Sequence, residues 1–164
     1  VFAPGARVDA AGIVTSTLNL LDSNYLNNNL VFEKNVTAGS ITNAGSLNAL
    51  VGGTVALIAP QVTNTGNVTA DGGTVALLSA DKVTLTLEGN RLIRYSLDQG
   101  SLNSLIQNSG SIRANDGVVI LSAKAVDALN KSLVNNSIYD YHLIGLIAEF
   151  ITSVNTDEKT LFSS

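Results

Sequence analysis

Gly52-Gly53-Thr54-Val55-Ala56-Leu57-Ile58-Ala59 returns further along the chain as Gly72-Gly73-Thr74-Val75-Ala76-Leu77-Leu78-Ser79. A third, altered copy, Asp116-Gly117-Val118-Val119-Ile120-Leu121-Ser122, has Asp in place of the first Gly. A fixed period of about 20 residues is typical of proteins whose repeats bury their apolar faces only by stacking on one another. The repeat therefore predicts an all-β solenoid of stacked coils.

A shorter motif precedes each copy and marks one corner of the predicted coil. It has the pattern aliphatic, any residue, Asn, any residue, Gly, any residue, aliphatic, and its Asn residues are Asn43, Asn64 and Asn108. Asn and Gly are favoured at tight corners because they tolerate left-handed backbone angles and bond to nearby backbone. We expect the three Asn side chains to form a structural ladder at this corner rather than a ligand site.

The spacing of the motif reveals an insertion. The step from Asn64 to Asn108 is more than twice the step from Asn43 to Asn64, so it contains one further coil and an insert of about 24 residues. In this insert Val83, Leu85 and Leu87 alternate with polar residues before a turn at Glu88-Gly89-Asn90. Such alternation around a turn predicts an antiparallel hairpin, here over residues 83–97 and packed on one side of the solenoid.

The two ends of the chain are less regular than the repeats. Alternation of Val8, Ala10, Gly12 and Val14 predicts a short strand near the N-terminus. Residues 15–34 are less regular, and the polar centre of this stretch, residues 22–29, predicts a helical turn or a loop outside the coil before a short apolar stretch at 30–32. Helical spacing of apolar residues over 124–133 predicts a short helix.

A further coil begins at Val134-Asn135-Asn136, but the repeat then fails, with Ile138 at the Gly position and Asp140 at an inward position. We therefore divide the chain into a β-helical region, residues 1–136, and a divergent tail, residues 137–164. The tail is expected to be a capping helix around residues 143–150 or a frameshifted end.

Composition excludes several classes of protein. The net charge is −4 and Lys and Arg are not clustered, which argues against binding to nucleic acid phosphates. The chain has no Cys, so disulfides and thiolate chemistry are excluded. Its longest apolar run, residues 143–151, is far shorter than the roughly 20 residues of a membrane-spanning helix. The chain opens at Val1 without a signal peptide, and we expect it to be an internal piece of a longer protein.

The candidate reactive groups do not form a convincing site. Asp71 and Asp116 resemble a carboxylate pair, but they are one step out of register in the repeat, since Asp71 aligns with Asn115. His142, near Asp140 and Glu149, lacks the spacing of a catalytic triad or a metal site. We expect no catalytic, metal or cofactor site, and we expect the repeats to present Thr, Asn, Ser and Gly outward.

Several stretches carry a family resemblance that covers roughly residues 1–136. They are Val1-Phe2-Ala3-Pro4-Gly5-Ala6-Arg7-Val8-Asp9, Gly12-Ile13-Val14-Thr15-Ser16-Thr17-Leu18, Ala38-Gly39-Ser40-Ile41-Thr42-Asn43-Ala44-Gly45, the two octapeptides, and Leu121-Ser122-Ala123-Lys124-Ala125. With these stretches the chain resembles the secretion domain of the filamentous haemagglutinin family, the large exoproteins of two-partner secretion. The family's Asn-Pro-Asn-Gly signature does not occur in this sequence.

The resemblance implies a right-handed parallel β-helix with extrahelical strands, secreted to the bacterial cell surface. It also implies recognition by an outer-membrane transporter partner, and a passenger, usually an adhesin or haemagglutinin, that contacts host-cell or carbohydrate receptors. A non-enzymatic export module is thus the leading hypothesis. The alternatives are a carbohydrate-active β-helix enzyme, which needs clustered acidic and basic residues on one face, and a structural shaft repeat of an adhesin.

Overall fold

The computed structural model describes residues 1–26, 30–125 and 134–136. The strands are β1 (Arg7–Ala10), β2 (Ile13–Ser16), β3 (Asn19–Leu20), β4 (Leu30–Glu33), β5 (Ser40–Asn43), β6 (Ser46–Ala49), β7 (Thr54–Ala59), β8 (Gln61–Asn64), β9 (Asn67–Thr69), β10 (Thr74–Ser79), β11 (Lys82–Glu88), β12 (Arg91–Gln99), β13 (Leu105–Asn108), β14 (Ser111–Arg113), β15 (Val118–Ala123) and β16 (Val134–Asn136). One short helix, α1 (Asp22–Leu26), lies in the region predicted to be a helical turn or a loop. The described part of the chain is therefore nearly all β-structure, as predicted.

The described residues form four sheets of four strands each, and three of these sheets are parallel. Sheet A contains β5, β8, β13 and β16, sheet B contains β1, β6, β9 and β14, and sheet C contains β2, β7, β10 and β15. The chain visits sheets A, B and C in this order in each of three passes, β5-β6-β7, β8-β9-β10 and β13-β14-β15. An earlier pass consists of Phe2, bridged to Asn43, followed by β1 and β2. We number these passes 1 to 4 from the N-terminus.

The register of the strands follows the sequence repeat. In sheet C, Val55 pairs with Val75 and Val75 with Val119, so the three octapeptide copies lie side by side. In sheet B, however, Leu47 pairs with Val68, and this step is one residue longer than the step from Val55 to Val75. The extra residue is absorbed at the corner formed by Leu50 and Val51, where both side chains are exposed.

Stacked glycines bring the corners of successive passes into close contact. Gly53, Gly73 and Gly117 form one such column. A Cβ atom on Gly73 would overlap the carbonyl oxygen of Gly53, and one on Gly117 would overlap that of Gly73. Backbone therefore lies directly on backbone at this corner, which explains why each copy of the octapeptide keeps this Gly.

The position before this column requires a left-handed backbone. Gly52 and Gly72 have φ values of 82° and 64°, and Asp116 occupies the same position with φ 54°. Asp116 is the one non-glycine residue with positive φ in the part of the chain that the structure describes. Asp tolerates this conformation better than most L-residues do, which is why the altered third copy still makes the corner.

The core inside the three parallel sheets, which we call the inner core, is aliphatic. Each strand contributes alternate residues to it, as β7 does with Val55, Leu57 and Ala59. Its buried members are Ile13, Ile41, Leu47, Val55, Leu57, Ala59, Val62, Val68, Ala70, Val75, Leu77, Ile106, Ile112, Ala114, Val119, Leu121 and Ala123. Chain composition, with 5% aromatic residues, suits these thin and regular layers.

Sheet D covers the outside of sheet C. The predicted hairpin is confirmed as β11 and β12, which pair antiparallel, and β11 also pairs antiparallel with β4, and β4 with β3. The outer core, between sheets C and D, contains Leu18, Phe32, Ala56, Ile58, Ala76, Leu78, Ala80, Val83, Leu85, Leu92 and Ile120. Every residue of β7 and β10 is consequently buried.

Two expectations about side-chain direction were wrong. The repeats do not present only polar residues outward, because the outward residues of β7 and β10 include Ile58 and Leu78, which sheet D buries. The single N-terminal strand predicted from alternation is two strands in different sheets, with a corner between them. The corner reverses the alternation, so Ile13 is buried and Val14 is exposed.

Predictions for the C-terminal part fall mostly outside the described residues. Of the helix predicted over 124–133 only Lys124 and Ala125 are described, and Ala125 forms a parallel bridge with Ser101. The tail 137–164, including its capping helix, lies outside as well, and its separation from residues 1–136 stays a prediction. The start of a further pass is present, because β16 pairs parallel with β13, with Asn136 opposite Asn108.

Candidate functional surfaces

The three Asn residues predicted to share a corner lie in one column inside sheet A. The Asn43 side-chain Nδ2 donates to Asn64 Oδ1 at 2.7 Å, and Asn64 Nδ2 donates to Asn108 Oδ1 at 2.7 Å. Asn43 Oδ1 also accepts from the backbone N–H of Gly45 at 3.1 Å. All three side chains are buried. The polar groups of this column are therefore directed at one another and at the corner backbone.

Asp71 and Asp116 do not form a carboxylate pair with free oxygens. Asp71 accepts two hydrogen bonds from the Arg113 guanidinium, at 3.2 and 3.0 Å, and one from the backbone N–H of Asn115 at 3.1 Å. Asp116 is one residue further along and forms the left-handed corner. The carboxylate of Asp71 thus links pass 3 to pass 4, and Asp116 shapes the backbone.

A second surface of charged residues lies where β4, β11 and β12 meet at the base of the hairpin. Lys34 Nζ lies 3.2 Å from Asp81 Oδ2, and Lys82 Nζ lies 3.2 Å from Glu33 Oε2. An open pocket of about 480 Å³ is lined here by Glu33, Lys34, Asn35, Val36, Asp81 and Gln99. Within the described residues no group of His, Cys, Asp and Glu is arranged to hold a metal ion.

The outer strand of sheet D is the longest strand described. β12 spans nine residues and pairs on one side with β11. Arg91, Ile93 and Arg94 are exposed along it. Near its C-terminal end, the Lys124 ammonium donates to the carbonyl oxygens of Leu97, at 2.9 Å, and Asp98, at 3.3 Å. This edge strand carries two exposed cationic side chains and one exposed apolar side chain in its N-terminal half, whereas the backbone groups of Leu92, Leu97 and Asp98 bond to other parts of the molecule.

The exposed face of sheet B carries polar contacts between passes 1 and 2. Arg7 Nε donates to Asp9 Oδ2 at 2.6 Å, and Asn48 Nδ2 donates to Asp9 Oδ1 at 2.9 Å. The hydrogen bond from Arg7, followed by the one from Asn48, lowers the pKa of the Asp9 carboxyl below its ordinary value. This arrangement of exposed and half-buried side chains is a solvated surface rather than a reactive site.

His142, Asp140 and Glu149 lie outside the described residues. No helix among the described residues is long and apolar enough to cross a membrane.

Sequence reasoning missed two features that position these surfaces. One is the pairing of β4 with β11, two strands that are separated in sequence by the whole of passes 2 and 3. The other is the set of ion pairs between segments distant in sequence, such as Arg113 with Asp71 and Lys82 with Glu33. Neither feature is indicated by a pattern in the local sequence. The uninterrupted apolar run of β7 does indicate a strand that is covered on both faces, but not which segment covers it.

Comparison with known proteins reveals a likeness to a solved structure. No family model and no curated protein matches the chain. Among solved structures, the crystal structure of the HMW1 secretion domain from Haemophilus influenzae matches with a TM-score of 0.68 and 23% sequence identity. The match covers 82% of this chain and 34% of that chain, so this chain spans about a third of its length. The predicted resemblance to a two-partner secretion domain is confirmed at the level of the fold, and the chain has the fold of that secretion domain.

Proposed function

We propose that this chain is an export module of a large secreted, haemagglutinin-like or adhesin exoprotein, recognised by an outer-membrane transporter in two-partner secretion. The observation that carries the proposal is the fold shared with the HMW1 secretion domain. In this proposal the exported product lies outside the cell or on its surface. Contacts with host-cell or carbohydrate receptors are assigned to a passenger and not to this chain, and catalysis is not part of the proposed role.

The same proposal includes a finer description of the fold. We infer that passes 1 to 4 are coils of a right-handed parallel β-helix, with sheet D as its extrahelical part. Support comes from the constant order of sheets A, B and C along the chain and from the parallel, in-register pairing of successive passes. A solenoid of local contacts suits export, because each coil pairs with the one before it as the chain emerges.

We assign recognition by the transporter to the hairpin β11–β12. Strand addition, in which an extended segment pairs with the edge of a partner's sheet, uses backbone hydrogen bonds for affinity and alternate side chains for specificity. β12 supports this mode because it is long and pairs on one side with β11, and because Ile93 and Arg94 are exposed on it. The transporter strand is expected to pair with this segment and to contact these two side chains.

The experiment places the chain behind a signal peptide and ahead of a reporter passenger in a Gram-negative host. Release of the reporter is measured with and without co-expression of an outer-membrane transporter of the two-partner secretion type. The expected result is release only with the transporter, and a loss of about tenfold or more for Ile93→Asp. Leu102→Asp is the matched control, since Leu102 is also an exposed apolar residue but lies outside the hairpin, and its replacement should leave release unchanged.

Release that does not depend on the transporter, or a reporter retained in the periplasm in its presence, contradicts the export role. Equal release from the Ile93 and Leu102 variants contradicts only the recognition by β12. Release of reducing sugar ends from added polysaccharides by the purified chain would favour the carbohydrate-active alternative.

We also propose that the column of Asn43, Asn64 and Asn108 has a structural role. Each amide is buried, and the bonds of Asn64 to both neighbours join passes 2, 3 and 4. A buried amide without partners costs about 1 to 3 kcal/mol, so a satisfied column favours the stacked register over a slipped one.

A further inference from the structure

We propose that the hairpin β11–β12 is a clamp that docks as a unit across all four passes after the three parallel sheets have formed, so that the outer core closes in a separate step. This inference goes beyond the proposed function and does not depend on it. It concerns how the two cores of the molecule are coupled.

The hairpin reaches from one end of the described stack to the other. At its tip, Asn90 lies against Gly12 of pass 1, and the backbone N–H of Leu92 donates to Thr54 Oγ1 of pass 2 at 2.8 Å. At its base, the Lys124 ammonium, which follows β15 of pass 4, bonds to the carbonyl oxygens of Leu97 and Asp98. A single element therefore contacts passes that otherwise touch only their neighbours.

The surface beneath the hairpin is apolar and belongs to sheet C. Ala56, Ile58, Ala76 and Leu78 face outward from β7 and β10 and are fully buried by sheet D. The ladder bonds of sheet C and the packing of the inner core involve no residue of the hairpin. The three parallel sheets can thus be complete while this face is still open to solvent.

The rest of sheet D is too small to cover that face alone. β3 and β4 contain two and four residues and pair with each other over two positions. Such a short pair of strands is marginal without a third strand, and β11 supplies it by pairing with β4 over residues 82–85. Docking of the hairpin therefore orders the segment that contains β3 and β4 and, in the same step, closes the outer core.

The order of residues along the chain places this docking late. The surface under the hairpin includes Ile120, and its base is held by Lys124, both of which follow the hairpin in sequence. The clamp accordingly cannot complete its contacts before pass 4 has folded. A state with a formed stack and an open outer core precedes the native state.

The test is native-state hydrogen exchange on the full chain, followed by mass spectrometry. Leu92→Ala removes a hairpin side chain from the outer core. It is expected to raise exchange in β4, β11 and β12 by about 30-fold or more and to raise exchange in β8 and β9 as well, because the lost contact destabilises the native state relative to both the open and the unfolded state. Leu47→Ala, in the inner core, is the discriminating variant: it should raise exchange in β8 and β9 by about 30-fold or more and leave β4, β11 and β12 within about threefold of the unchanged protein, because the native and open states both keep this contact.

Thr54→Val is the milder variant, in case Leu92→Ala does not fold. It removes the acceptor for the Leu92 N–H and should give the same pattern, with a rise of roughly 2- to 10-fold in sheet D. A rise in β4, β11 and β12 for Leu47→Ala that equals the rise in β8 and β9 overturns the proposal, because the two cores then open as one unit.

A disulfide provides the rescue. An added Cβ on Gly12 lies 3.3 Å from Asn90 Cβ, near the usual spacing of about 3.5 to 4.5 Å across a disulfide, and the chain has no Cys of its own. Oxidised Gly12→Cys/Asn90→Cys should return the exchange of sheet D in Leu92→Ala to within about threefold of the unchanged protein, and reduction should reverse this. Exchange that is the same in the oxidised and reduced forms overturns the clamp.

Discussion

The inner and outer cores share one strand and differ in how their residues are spaced along the chain. Leu57 and Ile58 are adjacent on β7, yet Leu57 faces the inner core and Ile58 the outer core. Inner-core residues recur with the repeat, whereas sheet D comes from two separate insertions, residues 17–39 and 80–104. One repeated strand therefore contributes side chains to both cores, but only the inner core has the period of the repeat.

The largest effect is expected where passes touch through backbone. Gly73→Ala places a Cβ on the carbonyl oxygen of Gly53, so successive passes must separate at that corner. We expect a loss of at least about 4 kcal/mol in the free energy of unfolding, or no folded protein, because neither backbone can move without breaking sheet C. Urea unfolding followed by far-UV circular dichroism measures this.

Gly39→Ala is the matched control for this substitution. Gly39 has no heavy atom within 4 Å of an added Cβ and no positive φ, so its replacement should change stability by less than about 0.5 kcal/mol. Similar unfolding curves for the two variants would show that the stack can accept a methyl group at this corner. They would contradict the claim that backbone contact requires Gly at residue 73.

The two cores can be perturbed separately by substitutions on a single strand, β7. Leu57→Ala and Ile58→Ala each remove a fully buried side chain and should each cost about 2 to 5 kcal/mol. Trypsin reports where the damage lies, because Arg91 and Arg94 are in the hairpin and Arg113 is in β14. Leu57→Ala should speed cleavage at Arg113 and leave the hairpin sites nearly unchanged, because a state with an open outer core keeps the contacts of Leu57, whereas Ile58→Ala should speed cleavage at all three. Identical cleavage patterns would contradict the separation of the cores.

The smallest effect concerns the Asn column, which lies at the corner between sheets A and B. Asn64→Ala removes the acceptor of Asn43 and the donor to Asn108 and should cost about 1 to 3 kcal/mol by thermal unfolding. Asn48→Ala, at a surface position bonded to Asp9, should change stability by less than about 0.5 kcal/mol. Thermal midpoints that match between these two variants would count against a structural ladder.

Much of the inner core was predictable because its determinants are periodic. The octapeptide, the Asn motif and the insert length together indicated which residues align, and the observed pairs Asn43 with Asn64 and Val55 with Val75 follow that alignment. The hairpin was predictable for a related reason, since alternation and a turn are both local signals. The column at Asn64 is the part of the candidate sites that a single sequence indicates well.

The outer core was only partly predictable. Burial of Ile58 and Leu78 could have been inferred from the unbroken apolar run of their strands, but the identity of the covering strand could not. β4 and β11 are brought together by the folding of the stack between them, and no pattern in either segment specifies the other. The same holds for Arg113 and Asp71, which meet because passes 3 and 4 align.

The sequence by itself determined the repeat, the register of the parallel strands and the Gly-lined corners, since each of these depends on residues at a fixed spacing and on the backbone preferences of Gly and Asn. Only the tertiary structure decided that Ile13 rather than Val14 faces inward, that two insertions join in one sheet, and that this sheet closes over sheet C. The physical reason is that strand direction after a corner and pairing between distant segments depend on the packing of the whole stack. Local preference does not encode either of them.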